Sequence, residues 1–302
     1  MDWVLDDHRK AARSGRRYVL GAAALWSLGG VFAKALDLDG LTVAFYRSLF
    51  AGLVLLPFVP ASRRVIRPTM IPLGFTFGAM TGLYLSAVMT TTAANAIFLQ
   101  CTATIWTIPL SAWLLRERPD RRSIVGIALA SLGVVAIVFY GYDGRPNEGQ
   151  GIALGLASGV GYAGVVVGLR GFRDLDPIWL SAFNNLAASG TLALWILLTR
   201  GSIQVPPAST IVLLVVFGTI QMAIPYGLFA RGLRDIGAPE AGLLGLLEPV
   251  LAPIWVLLVI GERPAVPTIV GGLFLLVGVA CRYWPVTSRN LVVAEAVHEH
   301  LD

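Results

Sequence analysis

Residues 92–140 read TAANAIFLQCTATIWTIPLSAWLLRERPDRRSIVGIALASLGVVAIVFY, and the stretch recurs without a gap at 237–284 as GAPEAGLLGLLEPVLAPIWVLLVIGERPAVPTIVGGLFLLVGVACRYW. The copies share Ala93/Ala238, Ala96/Ala241, Leu99/Leu244, Glu117/Glu262, Arg118/Arg263 and Pro119/Pro264. They also share Ile124/Ile269, Val125/Val270, Gly126/Gly271, Gly133/Gly278 and Val134/Val279. Each copy is an apolar segment, a Glu-Arg-Pro turn and a second apolar segment rich in glycine. Such a unit reads as a membrane hairpin, and the chain contains it twice.

Composition supports that reading. The chain is 56% hydrophobic and only 14% charged, where a soluble domain carries about a quarter charged residues. Apolar runs of roughly 20 residues cross a ~30 Å hydrocarbon core as helices. Ten such runs are expected: Tyr18–Leu36, Leu41–Pro60, Ile71–Met89, Ala93–Leu115, Arg122–Tyr140, Gly149–Leu169, Pro177–Leu198, Ser209–Gly232, Ala238–Ile260 and Ala265–Tyr283. The basic leader Met1–Arg17 is followed by a run longer than a signal-peptide core, so it is read as preceding a retained helix. Cys101 and Cys281 both lie in apolar runs and are expected to be buried thiols, with no disulfide framework. Pro57, Pro109, Pro225, Pro249 and Pro253 fall inside runs and are candidate kinks.

The distribution of charge sets orientation. With the N-terminus on the cytoplasmic side, eighteen of the 23 Lys and Arg residues face the cytoplasm. Lys34, Arg145, Arg200 and Arg263 face the other side, and Arg47 lies within a run. This bias predicts N-in, C-in and accounts for the net charge of +5 without nucleic-acid binding. Five runs per half of the chain is an odd number, so the second half is predicted to insert upside down. Asp37-Leu38-Asp39 matches Asp174-Leu175-Asp176 and Phe77-Gly78 matches Phe217-Gly218 in the remainder of the repeat. The expected fold is an all-α integral membrane protein of ten transmembrane helices in two inverted five-helix repeats. Its parts are a cytoplasmic tail (1–17), a first repeat (18–140), a periplasmic linker (141–148), a second repeat (149–283) and a cytoplasmic tail (284–302). Inverted repeats are a recurring device of secondary transporters, which bind substrate near the midplane and alternate access by rocking.

Candidate site residues follow from depth. Trp26, Trp106 and Tyr162 fall near the middle of their runs and Tyr84 in the outer third of its own. Their N–H and O–H groups need partners there, so they are candidates to line a central cavity and stack on substrate, against ordinary packing. Arg47 is the one basic residue well inside a run, and Glu248 the one deep acid. An intramembrane charge faces the bundle interior or water and seeks a partner. Three readings stay open: an Arg47–Glu248 pair, contacts to substrate, and a protonatable Glu248. Asn95, Gln100, Asn184, Asn185 and Gln221 are buried polar candidates, with Asn95 and Gln221 counted as substrate-binding and interhelical hydrogen bonding as the plainer reading. Glu117 and Glu262, just ahead of Pro119 and Pro264, are read as structural carboxylates facing the positive end of the helix each proline opens, worth about 0.3–1 kcal/mol. Gly151, Gly155 and Gly159 form a small-residue ridge for close approach, within the bundle or in a homodimer. His8, His298 and His300 sit in the tails, and no HExxH, paired-Cys or phosphate-loop pattern occurs. No catalytic residue, metal or cofactor is expected, and an enzyme is disfavoured.

The Glu-Arg-Pro turns, Tyr46-Arg47 and Glu248-Pro249-Val250 resemble the EamA type of the drug/metabolite transporter superfamily, over Tyr18–Tyr283. The chain is most similar there to the bacterial YddG-type exporters of aromatic and other amino acids. The resemblance implies a multi-pass protein of the bacterial inner membrane, with the lipid bilayer and a small-molecule substrate as partners. It implies export of small metabolites, amino acids first. Nucleobases, drug-like compounds or other metabolites are the alternative cargo, and a non-transporting scaffold or sensor is the alternative role.

Overall fold

A chain this apolar satisfies its backbone within helices, because hydrocarbon offers no hydrogen bonds in exchange. The structure, a computed structural model, describes residues 2–115, 121–141, 144 and 146–283, and among them contains helices and no strands. In order they are α1 (Asp2–Trp26), α2 (Gly29–Lys34), α3 (Gly40–Leu55), α4 (Met70–Thr90), α5 (Ala93–Gln100), α6 (Ala103–Leu115) and α7 (Arg121–Tyr140). There follow α8 (Glu148–Leu169), α9 (Pro177–Arg200), α10 (Ala208–Phe217), a π-helical segment Gly218–Ala223, α11 (Ile224–Gly232), α12 (Ala238–Gly245), α13 (Leu247–Ile260) and α14 (Val266–Tyr283).

Seven stretches among the described residues are long and apolar enough to cross a membrane: Gly40–Phe58, Met70–Thr90, Ala93–Leu114, Glu148–Phe172, Pro177–Arg200, Ala208–Gly232 and Glu240–Ile260. Two apolar helices are shorter, Ile124–Tyr140 and Val266–Cys281. The expected first run, Tyr18–Leu36, differs most. The basic leader is helical from Asp2, continuous with the apolar part of α1, and the helix breaks at Ser27–Leu28 before α2 begins.

Two further expected runs are each two helices. Residues 93–115 break at Cys101–Thr102, between α5 and α6, and residues 238–260 break at Leu246, between α12 and α13. Cys101 and Leu246 occupy the same place in the duplication, so both copies interrupt the same helix at the same point. Proline accounts for part of this. Pro249 has no N–H to offer the carbonyl four residues back, at Gly245, and Pro225 has none for Gln221, where the π-helical segment lies. Pro109 and Pro253, by contrast, are carried inside α6 and α13.

The Asp-Leu-Asp matches also resolve into local structure. Asp39 caps α3, accepting from Leu41 N at 3.0 Å and Thr42 N at 3.1 Å, and Asp176 caps α9, accepting from Ile178 N at 2.9 Å and Trp179 N at 3.3 Å. Each satisfies helix-start donors that otherwise have no partner.

Glycine sets the tightest crossing, between α7 and α14. A Cβ on Gly126 would lie 2.7 Å from the Gly278 carbonyl oxygen, and one on Gly271 would lie 2.6 Å from that of Gly133. The two glycines of one copy thus meet those of the other in reverse order, so the helices cross antiparallel. The ridge Gly151, Gly155 and Gly159 on α8 is likewise filled from within the chain, by Thr90 and Thr91, by Leu99, and by Thr102. That leaves no room at these residues for a second copy. The buried centre between α3, α4, α9 and α10 is closed by Val43, Leu85, Val88, Leu192, Leu214 and Phe217.

Candidate functional site

The broken helices converge on one interior region. Arg47 projects from the middle of α3 and is 4% exposed. Its Nη1 donates to Gln221 Oε1 at 3.2 Å, its guanidinium carbon lies 5.5 Å from the centre of the Phe217 ring, and its Nε is buried with no hydrogen-bond partner. Gln221 reaches Arg47 from the π-helical segment between α10 and α11, and its Nε2 donates to the Trp26 carbonyl at 3.0 Å. Trp26, the last residue of α1, stacks its ring edge-on to Tyr226 at 5.4 Å and tilted to Phe229 at 5.3 Å, both on α11.

Glu248 enters from the first turn of α13, just past the break at Leu246. It is partly buried and makes no ion pair or side-chain hydrogen bond. The direct Arg47–Glu248 bond held open above is therefore absent, because Arg47 spends its contact on Gln221. The two charges nevertheless lie within electrostatic reach of each other and of Tyr84 on α4 and Tyr226. A buried guanidinium with a vacant N–H and a carboxylate without a partner, walled by Trp26, Tyr84 and Tyr226, form a site of two opposite charges held apart. Leaving either charge unpaired in a bundle interior is costly.

The other candidates fall elsewhere. Asn95 is fully buried and committed: its Nδ2 donates to Thr91 Oγ1 at 3.0 Å and to the Gly141 carbonyl at 3.1 Å, and its Oδ1 accepts from Thr268 at 2.7 Å. It ties α5 to the end of α7 and to α14. Gln100 bonds Met80 Sδ at 3.4 Å and Asn185 bonds the Ser181 carbonyl at 2.9 Å within α9. Trp106 on α6 and Tyr162 on α8 are each 42% exposed and do not join the Arg47 group.

Glu262 reaches a helix start across the bundle. Its Oε1 accepts from Ala93 N, at the start of α5, at 2.6 Å, and its Oε2 pairs with Lys34 Nζ at 3.1 Å. Lys34 also donates to the Thr91 carbonyl at 2.9 Å. The carboxylate thus faces the positive end of α5 across the bundle. Glu117 and Pro119 lie outside the described residues.

Sequence reasoning missed Tyr226, Lys34 and Glu148. Glu148 is 2% exposed and accepts from Thr91 Oγ1 at 3.4 Å. Tyr226 sits one residue past Pro225, and that helix-breaking proline was the available signal. At the opposite end of the bundle the pairs Arg16–Glu240, at 2.5 Å, Arg63–Asp176, at 3.3 Å, and Arg67–Asp174 are more open to solvent. There the hydrogen bonds from Arg67 hold Asp174 below the usual carboxylate range. A groove of about 470 Å³ lies beside Arg67, between Leu73 and Thr76 of α4 and Gly164 and Gly168 of α8.

Known proteins place these features. A transporter of Archaeoglobus fulgidus, described as uncharacterized, is 28% identical over 272 residues, 89% of this chain and 96% of its own length. The inner membrane transporter YicL of Salmonella typhimurium, also described as uncharacterized, is 25% identical over 296 residues, 88% of this chain and 94% of its own length. One solved crystal structure shares the fold at a TM-score of 0.66 and 19% identity, covering 92% of this chain and 99% of its own. Both curated relatives are named as transporters, and the seven membrane-length apolar stretches fit a multi-pass membrane protein. The model of the EamA-like transporter family matches residues 13–139 and again 149–284, and the chain belongs to that family.

Proposed function

We propose that the chain is a secondary active exporter of small zwitterionic metabolites, amino acids including aromatic ones, working by alternating access through a central cavity. The observation that carries this is the pair of unmet opposite charges in the interior. Arg47 keeps a buried N–H without a partner and Glu248 keeps a carboxylate without one. A free amino acid brings a carboxylate and an ammonium, which answer both, and a flat side chain, which Trp26, Tyr84 and Tyr226 can flank. A nucleobase answers neither charge fully. Trp106, in the first turn of α6, and Tyr162, within α8, both half-exposed, are assigned to the wall of the same passage.

The same reading takes the ten expected runs as two inverted repeats, 18–140 and 149–283, joined by a 141–148 linker, N-in and C-in, in a bacterial inner membrane. Three observations support it. The matched breaks at Cys101 and Leu246 give each half one interrupted helix. The reciprocal meeting of Gly126 with Gly278 and Gly133 with Gly271, on antiparallel helices, is what a twofold axis in the membrane plane would produce. The cationic census favours a cytoplasmic N-terminus.

The test is counterflow uptake of labelled phenylalanine, threonine and a nucleobase into proteoliposomes of purified protein. Saturable exchange of the amino acids, abolished by Arg47→Ala, is expected. Folded protein that exchanges only the nucleobase, or nothing, refutes the assignment.

A further inference from the structure

Gln221, counted by sequence among the substrate-binding candidates, holds a position that contact with substrate alone does not explain. Its amide is used at both ends. Oε1 accepts from Arg47 at 3.2 Å and Nε2 donates to the carbonyl of Trp26 at 3.0 Å, where α1 stops and the first membrane segment breaks. The surroundings are cut to fit this contact. Opposite Nε2 stands Gly29, where a Cβ would come within 2.9 Å of that nitrogen. Behind it, Gly218 lets the start of the π-helical segment approach α3 so closely that a Cβ there would lie 2.8 Å from the Arg47 carbonyl oxygen. A π-helical turn displaces side-chain register relative to an α-helix and is frequent at functional sites. Here it carries a 5% exposed Gln between the charged site and a helix break.

We propose that Gln221 is a positioning residue that ties the occupancy of Arg47 to the conformation of the break at Trp26–Gly29. The inference rests on the zwitterion reading of the site. With Arg47 unoccupied, Gln221 is held by the guanidinium and in turn holds the Trp26 carbonyl, which fixes the junction of α1 and α2. A substrate carboxylate that draws the guanidinium toward itself weakens the bond to Oε1. The amide is then free to turn, and the Trp26 carbonyl loses its anchored donor. The first segment can bend at the break only when the site is filled. Gln221 touches no substrate in this scheme, so its loss acts on exchange and not on affinity. A ligand acts on a distant equilibrium only through such a difference in contacts between two states.

Two variants separate the parts. Gln221→Leu removes both contacts. Gly29→Ala crowds the Gln221 amide at Nε2 and Cδ and displaces it from the Trp26 carbonyl while the Arg47 side chain and the Gln221 amide stay chemically intact, and the clash is with the flexible end of one side chain, so folding is retained. In Gly29→Ala, the phenylalanine Kd should stay within about threefold of wild type while uptake into vesicles lacking internal phenylalanine, which requires the empty carrier to reorient, rises about tenfold, within the usual range for coupled sites. Parallel loss of affinity and rate, or no change in either, overturns the proposal. A second measurement needs no substrate: amide hydrogen exchange over residues 27–31 should rise about tenfold in both variants, and equal exchange in wild type and Gly29→Ala overturns the tether. If wild-type protein fails to exchange phenylalanine, the amino-acid reading falls and the hydrogen-exchange result still decides the tether.

Discussion

The contact most open to a quantitative test is the link from Glu262 to Lys34 and to the start of α5. The side chains of Lys34 and Glu262 are 12% and 6% exposed, and their atoms approach to 3.1 Å while Glu262 also accepts from Ala93 N at 2.6 Å. Breaking a buried pair by removing one partner costs about 3–5 kcal/mol, because the remaining charge is left in a poorly solvated site. Glu262→Leu also leaves the Ala93 N–H unmet, a group worth about 1–3 kcal/mol when orphaned. These losses overlap and do not add. The single variant is thus expected to lose about 3–5 kcal/mol, and Lys34→Met a comparable amount. The double variant removes both charges and should be less damaged than either single change, leaving mainly the orphaned Ala93 N–H and Thr91 carbonyl. The assay is reversible unfolding in bicelles on a double-mutant cycle. A coupling energy below about 0.5 kcal/mol, the level seen for independent sites, would refute the reasoning and place the pair with exposed, weak ion pairs.

Other perturbations follow from the same geometry. Arg47→Ala should weaken phenylalanine binding about 10–100-fold, the size of one or two charge-assisted hydrogen bonds, as read by equilibrium dialysis. Phenylalanine at Tyr84 or alanine at Trp106 should lower counterflow without changing the elution profile of the purified protein; unchanged kinetics would remove that residue from the passage. Gly271→Val should cost about 1–3 kcal/mol by overpacking the α7–α14 crossing, seen as a lowered unfolding midpoint, and a neutral result would contradict the close approach. At the end of the bundle, burial works against a charged Asp39, but hydrogen bonds from Arg200 and Thr42 outweigh it and hold the carboxyl below its usual 3.8. A depressed carboxyl contributes stability above its unfolded value and loses it as pH falls through the folded one. Unfolding followed downward from pH 5 should show a loss below about 3.8 that Asp39→Asn lacks; the same acid limb in the variant would assign the loss to other groups.

Much of the architecture was legible because membrane segments announce themselves locally. A run of apolar residues needs no partner to be recognised, and the duplicated Glu-Arg-Pro hairpin, the Asp-Leu-Asp caps and the glycine pairs are all readable in order along the chain. The helix breaks were harder. Proline marks Pro225 and Pro249, where a carbonyl loses its donor, but the breaks at Ser27–Leu28 and Cys101–Thr102 carry no proline. They depend on what the neighbouring helices offer the freed backbone groups, and for Trp26 that is Gln221 from nearly two hundred residues away.

The charged residues show where the sequence stops. That Arg47, Glu248 and Glu262 are exceptional follows from their surroundings in the chain, since a charge in an apolar run is costly wherever it lands. Whom each one meets does not follow. Arg47 takes Gln221 and not Glu248, Glu262 reaches the start of α5 across the bundle, and Asn95 meets Thr91, Gly141 and Thr268. Depth along a helix is written in the sequence, but rotation about its axis and the identity of the facing helix are set by packing. A hydrogen bond extends about 3 Å, so partners were decided only when the helices closed around one another.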